Sequence, residues 1–241
     1  MTSIIQISDC HLSDDSSFEN LRSALLYAQK DSSCDTLLLT GDLCCNPKPG
    51  DYRVLLSFLE KHIRDKKIFA IAGNHDDTKL MKRELVGSSI NVVNKAKIHN
   101  RDMLFLDSSA KPLDTRHPLG SGRVDNRGLA RFNKQLRHAI NPIVVIHHPI
   151  IPVGSDWIQA ICLENNASLH ALLAKYRVQD VICGHGHDAL TVTRQEVTQH
   201  MAPATAYGFD HSIDEYNRNA KIGVNKIHLE GERMKVETVW L

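Results

Sequence analysis

The sequence predicts a layered α/β fold with mixed sheets. Three observations lead there. Short β-branched runs alternate with stretches of helical periodicity over the first three quarters. The last quarter turns into strands alone. Most of the early runs stop at a cluster of Gly, Asp, Asn or His.

In order, Ser3–Ser8 is an apolar, β-branched run ending at Asp9, and Phe18–Lys30 follows with Leu21, Ala24, Leu25 and Ala28 at helical spacing. Thr36–Thr40 reads as a buried strand ending at Gly41-Asp42, and Tyr52–Ile63 as a helix with Val54, Leu55, Phe58 and Leu59 on one stripe. Ile68–Ala72 is a strand ending at Gly73-Asn74-His75-Asp76. Asp76 and Asp77 then suit the start of a short helix to Leu85, where carboxylates take free backbone N–H groups. Met103–Asp107 is a strand, and Arg127–Ile140 a helix carrying Leu129, Phe132, Leu136 and Ile140 until Pro142 stops it. Ile143–Ile146 leads to His147, Ala167–Tyr176 is helical, and Val181–Cys183 leads to Gly184-His185-Gly186-His187. Leu190–Thr193, Val197–Met201, Ile222–Leu229 and Met234–Val239 read as strands, the last pair turning at Gly231. Ser109–Asn126, rich in Gly, Pro and Arg, reads as the longest loop. With no repeat, low-complexity tract or linker, residues 1–241 read as a single domain.

Composition narrows the class. With 42% hydrophobic and 24% charged residues, the 241-residue chain can fill a core and is not mainly disordered. Lys+Arg number 29 and Asp+Glu 28, so the net charge of +1 offers little attraction to a phosphate backbone, and no nucleic-acid polymer is expected. The N-terminus lacks a basic segment followed by an apolar stretch, and runs such as Ile150–Val153 are too short to cross a bilayer. A cytoplasmic protein without a membrane partner is therefore expected. The six cysteines form no C-x-x-C pair and read as reduced thiols.

The polar clusters carry the chemistry. Asp9-Cys10-His11, Gly41-Asp42, Gly73-Asn74-His75, His147 and Gly184-His185-Gly186-His187 each stand at a strand end. In an open α/β sheet ligands bind outside the carboxyl ends of the strands, so these clusters converge on one rim. Each alone reads as turn residues; in this order they read as metal ligands. Mixed imidazole and carboxylate donors suit Zn, Fe or Mn. Two cations held close together need a bridging anion, and such pairs acidify a water for attack on phosphorus.

Asp9-x-His11, Gly41-Asp42, Gly73-Asn74-His75-Asp76, His147 and Gly184-His185-x-His187 resemble the five signature blocks of the calcineurin-like metallophosphoesterases. Within that superfamily the G-N-H-D and H-H-P forms are similar to the bacterial class III cyclic-nucleotide phosphodiesterases (the Icc type). The resemblance implies a four-layer αββα sandwich, two mixed β-sheets flanked by helices, the metallo-dependent phosphatase fold. It implies that Asp9, His11 and His187 bind a first metal, that Asn74, His147 and His185 bind a second, and that Asp42 bridges them. It gives His75 the role of general acid to the leaving oxygen or of a phosphate clamp, with a metal-bridging hydroxide as nucleophile. The implied substrate is a small phosphodiester such as a 3',5'-cyclic nucleotide (cyclic AMP), and a homodimer is left open.

Other readings differ by named residues. Phosphoprotein phosphatases resemble G-D-x-x-D-R-G and G-N-H-E, where this chain has Gly41-Asp42-Leu43-Cys44-Cys45-Asn46 and Gly73-Asn74-His75-Asp76. The nucleotide-sugar lipid pyrophosphohydrolases resemble G-N-R-D, against His75 here. Phosphomonoesterase activity on the same fold remains an alternative, as does a non-enzymatic scaffold, although the scaffold reading leaves a complete ligand set idle. Among neighbouring residues, His148 reads as packing and Cys10 as a thiol turned away from the ligands by strand alternation. Asp107 reads as a turn residue, and His211 and the stretch 207–219 as lining of a substrate pocket.

Overall fold

The computed structural model describes residues 2–241. The first sheet is built around β1 (Ser3–Ile7), β2 (Cys34–Thr40), β3 (Lys67–Ile71) and the two-residue β4 (Ile90–Asn91), all parallel. Helices α1 (Asp15–Lys30), α2 (Asp51–His62) and α3 (Thr78–Leu85) connect them. Asp14 caps α1 in a reciprocal capping box with Ser17, and Asp77 caps α3, accepting from the N–H groups of Lys79 and Leu80 at 2.9 Å. Asp76, expected to share that helix start, turns back into the site instead.

The second sheet begins with β5 (Lys95–Ile98) antiparallel to β6 (Arg101–Leu106). It continues through α4 (Asn126–Leu136), β7 (Ile143–Ile146), the short α5 (Asp156–Ala160), α6 (Asn166–Lys175) and β8 (Asp180–Cys183). The hairpin β9 (Leu190–Arg194) and β10 (Val197–Met201) completes it, in the order β5-β6-β7-β8-β10-β9. The chain then returns to the first sheet as β11 (Gly223–Glu230) and β12 (Arg233–Trp240), giving β12-β11-β1-β2-β3-β4. The expected β-rich last quarter is thus divided between the two sheets.

Side-chain alternation builds the layers. Ile5 and Ile7 of β1 face the core under α1 and α2, whereas Ile4 faces the other sheet. Between the sheets, Ile4, Leu38, Phe69, Met103, Phe105, Ile143, Val145 and Ile182 interdigitate, with Phe69 stacked on Phe105 at 5.5 Å. A third core, including Phe132, Leu169 and Leu173, lies under α4 and α6. The result is the α-β-β-α sandwich expected from the resemblance.

Several elements depart from the sequence expectation. Helix α4 stops at Leu136, and Ile140 is 63% exposed rather than on its apolar stripe, because the chain turns back through Asn141 at φ 44°. Strands β4 and β5 and helix α5 are too short to carry a periodic signal. The long loop holds only isolated bridges, Ser109 and Ala110 to Arg123 and Gly122 to Leu163. No helix among the described residues is long and apolar enough to cross a membrane. All six cysteines are free.

Near the site the sheets are tied by polar side chains. Gln6 on β1 donates to Thr40 Oγ1 at 3.0 Å and to the Cys183 carbonyl at 2.8 Å on the opposite sheet. This crosslink holds the carboxyl ends of β1, β2 and β8 in register, where the candidate ligands emerge.

Candidate metal centre

The seven predicted metal residues come together from loops at the strand ends of both sheets. Asp9, His11 and His187 place donor atoms within 4.8 Å of one another, as do Asp9, Asp42 and His147. His11 Nε2 and His187 Nε2 are 3.1 Å apart, and Asp9 Oδ1 lies 3.3 Å from His187 Nε2. Asp42 Oδ2 stands between the groups, 3.7 Å from His11 Nε2 and 3.4 Å from His147 Nε2. His147 Nε2 is 3.2 Å from Asn74 Oδ1.

The outward nitrogens fix the rings. His147 Nδ1–H donates to the Thr40 carbonyl at 2.8 Å, and His187 Nδ1–H to the Tyr207 carbonyl at 2.8 Å. His185 Nε2–H donates to the Ile161 carbonyl at 2.9 Å, which leaves its Nδ1 free for a ligand. This carbonyl-to-imidazole arrangement is how ligating histidines are usually oriented. His148 lies in the same cluster, yet Ser108 Oγ sits at 2.8 Å from its Nδ1 and the Gly120 carbonyl at 3.0 Å from its Nε2. Both nitrogens are engaged, so His148 packs, and the loop reading of 109–126 gains a contact.

The backbone is strained where these side chains leave it. Asp9, His11, Asp42, His185 and His187 all have left-handed φ, between 43° and 73°. Such non-glycine residues cost about 1–3 kcal/mol each and concentrate at functional sites. The same geometry, rather than strand alternation, turns Cys10 away into the buried core. Two glycines are needed for clearance. A Cβ at Gly73 would fall 2.1 Å from Asp42 Oδ1, and one at Gly41 (φ 96°) 2.5 Å from His147 Nδ1.

Electrostatics sets the protonation states. Burial pushes the carboxyls of Asp9 and Asp42 up, but the facing imidazoles outweigh it: chiefly His187 for Asp9, and His147 then His11 for Asp42. Both end well below the usual carboxylate range. Burial lowers His11 to about 4 and His185 to about 3, so both rings are neutral at pH 7. Anionic carboxylate and neutral imidazole are the ligating forms. His147 is also pushed down by burial, but the charge of Asp42 raises it to about 9, so a cation here must displace that proton.

Whether the residues fit a metal can be read from one orphaned atom. Asp9 Oδ2 accepts from Ser8 Oγ at 2.5 Å and from the His185 N–H at 3.0 Å. Its buried Oδ1 has no hydrogen-bond partner among the described residues and points at the His187 nitrogen. A fully buried carboxylate oxygen left so is costly unless a cation meets it. The donor set fits two ions.

His75 stands at the edge, half-buried, its ring edge-on to His11 at 4.8 Å. Its N–H donates to Asp42 Oδ1 at 2.8 Å, which leaves Oδ2 facing the imidazoles. Asp76 locks the loops that carry Asp42 and His75: it accepts from the N–H groups of Gly73, Leu43 and Cys44 and from Tyr52 Oη–H at 2.9 Å. Burial, then the Asp42 charge, raises it to about 6.

Sequence reasoning missed several neighbours. Tyr207 lies against His11 and His187, ring centroids at 5.4 and 4.7 Å, and Phe209 stacks on His187 at 4.3 Å. The Arg218 guanidinium rests 3.8 Å from the Tyr207 centroid and bonds Tyr216 Oη. These side chains place the stretch 207–219 against the cluster. The aromatic density of Tyr207-Gly208-Phe209 in a polar segment was the available signal. His211 Nε2–H donates to the Gly186 carbonyl at 2.6 Å and so braces the turn between His185 and His187. Asp107 takes the turn role, accepting from Ser109 N–H at 3.0 Å.

A family model described as calcineurin-like phosphoesterase matches residues 2–189. A protein of Ruthia magnifica subsp. Calyptogena magnifica named "probable cyclic nucleotide phosphodiesterase" is 26% identical over 249 residues, covering 99% of this chain and 98% of that protein. A dimetal phosphatase from Danio rerio superposes with a TM-score of 0.65 at 15% identity, covering 98% of this chain and 95% of its own. The Plasmodium protein GAP50, described as the anchor in the inner membrane complex, superposes at 0.64 with 13% identity, covering 99% and 84%. At such identities the two structures speak for the fold alone.

Proposed function

The chain belongs to the calcineurin-like phosphoesterase family, and from that premise we propose that it hydrolyses phosphodiesters, with 3',5'-cyclic nucleotides such as cyclic AMP as the first candidates. Enzymes of this family are dinuclear metal hydrolases; here the ions would be Fe, Mn or Zn, given the imidazole and carboxylate donors. The observation that carries the reading is the set of seven donors around Asp9 and Asp42, six of them buried, with a half-buried His75 beside it.

In this reading Asp9, His11 and His187 would hold one ion, Asn74, His147 and His185 the other, and Asp42 would be shared between them. Bound ions would supply an acidified water and charge stabilisation for the phosphoryl oxygens. The chain's own residues do the rest. Asp76 and Tyr52 keep the Asp42 and His75 loops in fixed relation, which limits the entropy lost on reaching the reactive geometry. His75 delivers a proton to the leaving oxygen, a role an imidazole at hydrogen-bond reach can fill. Tyr207, Phe209 and Arg218 border the space beside His11 and His187, where the rest of a nucleotide would lie. The whole of 1–241 acts as one domain in this reading, on a small-molecule substrate and in the cytoplasm.

The relatives named as cyclic nucleotide phosphodiesterases support this over a phosphomonoesterase or a pyrophosphohydrolase. GAP50 marks the rival scaffold reading, since an anchor protein has this fold, but the complete donor set here favours catalysis. The test is turnover of cyclic AMP to AMP by Mn²⁺-loaded protein. Hydrolysis lost on chelation supports the reading. Cleavage of simple phosphomonoesters with none of cyclic AMP or any synthetic diester would replace it with a phosphatase.

A further inference from the structure

We propose that Arg218 determines which phosphodiester is taken: its guanidinium, laid on the Tyr207 ring at the mouth of the site, binds a second phosphate carried by the leaving portion of the substrate. The proposal rests on the phosphodiesterase reading. It narrows that reading to diesters with an anion beyond the scissile one, such as a 5'-phosphorylated dinucleotide.

The chain builds this arginine into position. Gly208 N–H donates to the Asn219 carbonyl at 3.0 Å, and Asn219 N–H returns a bond to the Gly208 carbonyl at 2.9 Å. The pair closes the loop between them and brings Arg218 beside Tyr207. A Cβ at position 208 would fall 2.4 Å from Asn219 Oδ1 and 2.8 Å from the Lys221 carbonyl, so the closure needs glycine. Within the loop, Asn217 Oδ1 accepts from the Asp210 N–H at 2.7 Å, and Asn217 Nδ2–H donates to the Asp210 carbonyl at 3.0 Å. Tyr207 is tied in turn to the candidate metal centre, since its carbonyl takes the His187 Nδ1–H at 2.8 Å. On this platform the guanidinium lies 3.8 Å from the Tyr207 centroid, and its Nε–H donates to Tyr216 Oη. A side chain stacked and bonded in this way has less freedom left to lose when a ligand arrives.

What the fork lacks is an anion. Arg22, Arg101, Arg116 and Arg123 each meet a carboxylate, whereas Arg218 meets none among the described residues. Two acids of its own segment are turned elsewhere: Asp210 accepts from Ser212, and Asp214 from the Asp156 N–H. Its Nη groups have no acceptor among the described residues, and their planar array suits two phosphate oxygens at once. The surroundings decide which side of the substrate it serves. The Tyr207 ring stacks on His11 at 5.4 Å, His11 meets His75 at 4.8 Å, and His75 Nδ1 is 3.9 Å from Cys45 Sγ. Burial and then the Asp42 charge push the Cys45 thiol up, while Arg218 pulls it down, so the guanidinium is within electrostatic reach of that sulfur. Tyr207, His11, His75, Cys45 and Arg218 therefore ring one side of the mouth. In the proposed reaction His75 serves the leaving oxygen, so an anion held by Arg218 belongs to the leaving portion. Cyclic AMP carries a single phosphate and would leave the fork empty. A 5'-phosphorylated adenosine dinucleotide would fill it: water supplies the new P–O bond and loses a proton to solvent, the bond to the 3'-oxygen breaks, His75 protonates that oxygen and is reprotonated from solvent, and both products are 5'-AMP.

The experiment compares kcat/KM on Mn²⁺-loaded protein for adenylyl-(3',5')-adenosine with and without a 5'-phosphate, in the native chain, Arg218→Met and Arg218→Lys. Beside it, calorimetry measures the binding of adenosine 3',5'-bisphosphate and of adenosine 3'-monophosphate to the same preparations. The native chain is expected to prefer the 5'-phosphorylated dinucleotide by at least about tenfold, through KM, and to prefer the bisphosphate likewise. Arg218→Met is expected to bring both ratios to about one, and Arg218→Lys, which keeps the charge without the fork, to recover part of them. General damage to the site would slow both dinucleotides alike and leave the ratio standing. A native chain without the preference, or a ratio unchanged in Arg218→Met, overturns the proposal. If neither dinucleotide nor bis-p-nitrophenyl phosphate is hydrolysed, yet the bisphosphate preference appears and depends on Arg218, the anion site stands and the phosphodiesterase reading falls.

Discussion

Opposite charges are buried at the amino ends of the second sheet and at the carboxyl ends where both sheets meet, and they are treated differently. At the amino ends of β6 and β8, Arg101 Nη2 meets Asp180 Oδ2 at 2.7 Å, and its other N–H groups reach the carbonyls of Asn141 at 2.9 Å and Glu232 at 3.3 Å. Both residues have ordinary backbone. At the carboxyl ends, Asp9 keeps an orphaned oxygen, His11 and His187 bring nitrogens to 3.1 Å of each other, and five of the seven ligand positions are left-handed. The first arrangement answers each charge from within the chain, as a structural pair does. The second is complete only with partners the chain does not supply, and it carries backbone strain to stay that way. Buried charge by itself therefore says little; the unanswered remainder is what points to function.

Variants can break that contrast in graded ways. The largest effect is expected at Asp42→Ala and Asn74→Ala: bound metal falls and turnover drops by more than about 100-fold, checked by elemental analysis and initial rates. An unchanged rate in Asn74→Ala would undo the dinuclear assignment. Next, His75→Ala is expected to keep both ions and slow the chemistry by about 10²–10⁴-fold, most for poor leaving groups. Equal slowing of good and poor leaving groups would remove the acid role.

The amino end should respond in the opposite sense. Arg101→Met strands the Asp180 carboxylate and is expected to cost about 3–5 kcal/mol in urea unfolding while metal content stays the same. The smallest effect is expected at Tyr52→Phe, which removes one bond to Asp76 and the acceptor of Asp77 N–H: about 1 kcal/mol of stability, with metals retained. Loss of metal in Arg101→Met would mean that the two ends are not independent.

Much of the candidate site was legible because metal ligation would demand particular residue types at fixed places. Asp, Asn and His beside Gly at successive strand ends leave few other readings, and Gly41 and Gly73 are where ligand side chains cross close to backbone. What was not legible depends on tertiary context. Lys95-Ala96-Lys97-Ile98 is too short to carry a strand pattern of its own and is an edge strand because β6 is there to pair with it. Asp76 reads as a helix cap until the neighbouring loops offer it four donors. Cys45 and Arg218 have no local pattern at all. The first is placed by the Leu12 and His75 carbonyls and the second by Tyr207 and Tyr216, contacts that only folding creates.

The central claim, a two-metal phosphodiesterase, is tested most directly by the hydrolysis of bis-p-nitrophenyl phosphate beside p-nitrophenyl phosphate, with Mn²⁺ and with EDTA, on protein whose metal content is measured in the same preparation. The account predicts two ions per chain and chelator-sensitive cleavage that favours the diester. Two bound ions with no turnover of either ester, or turnover indifferent to EDTA, would contradict it.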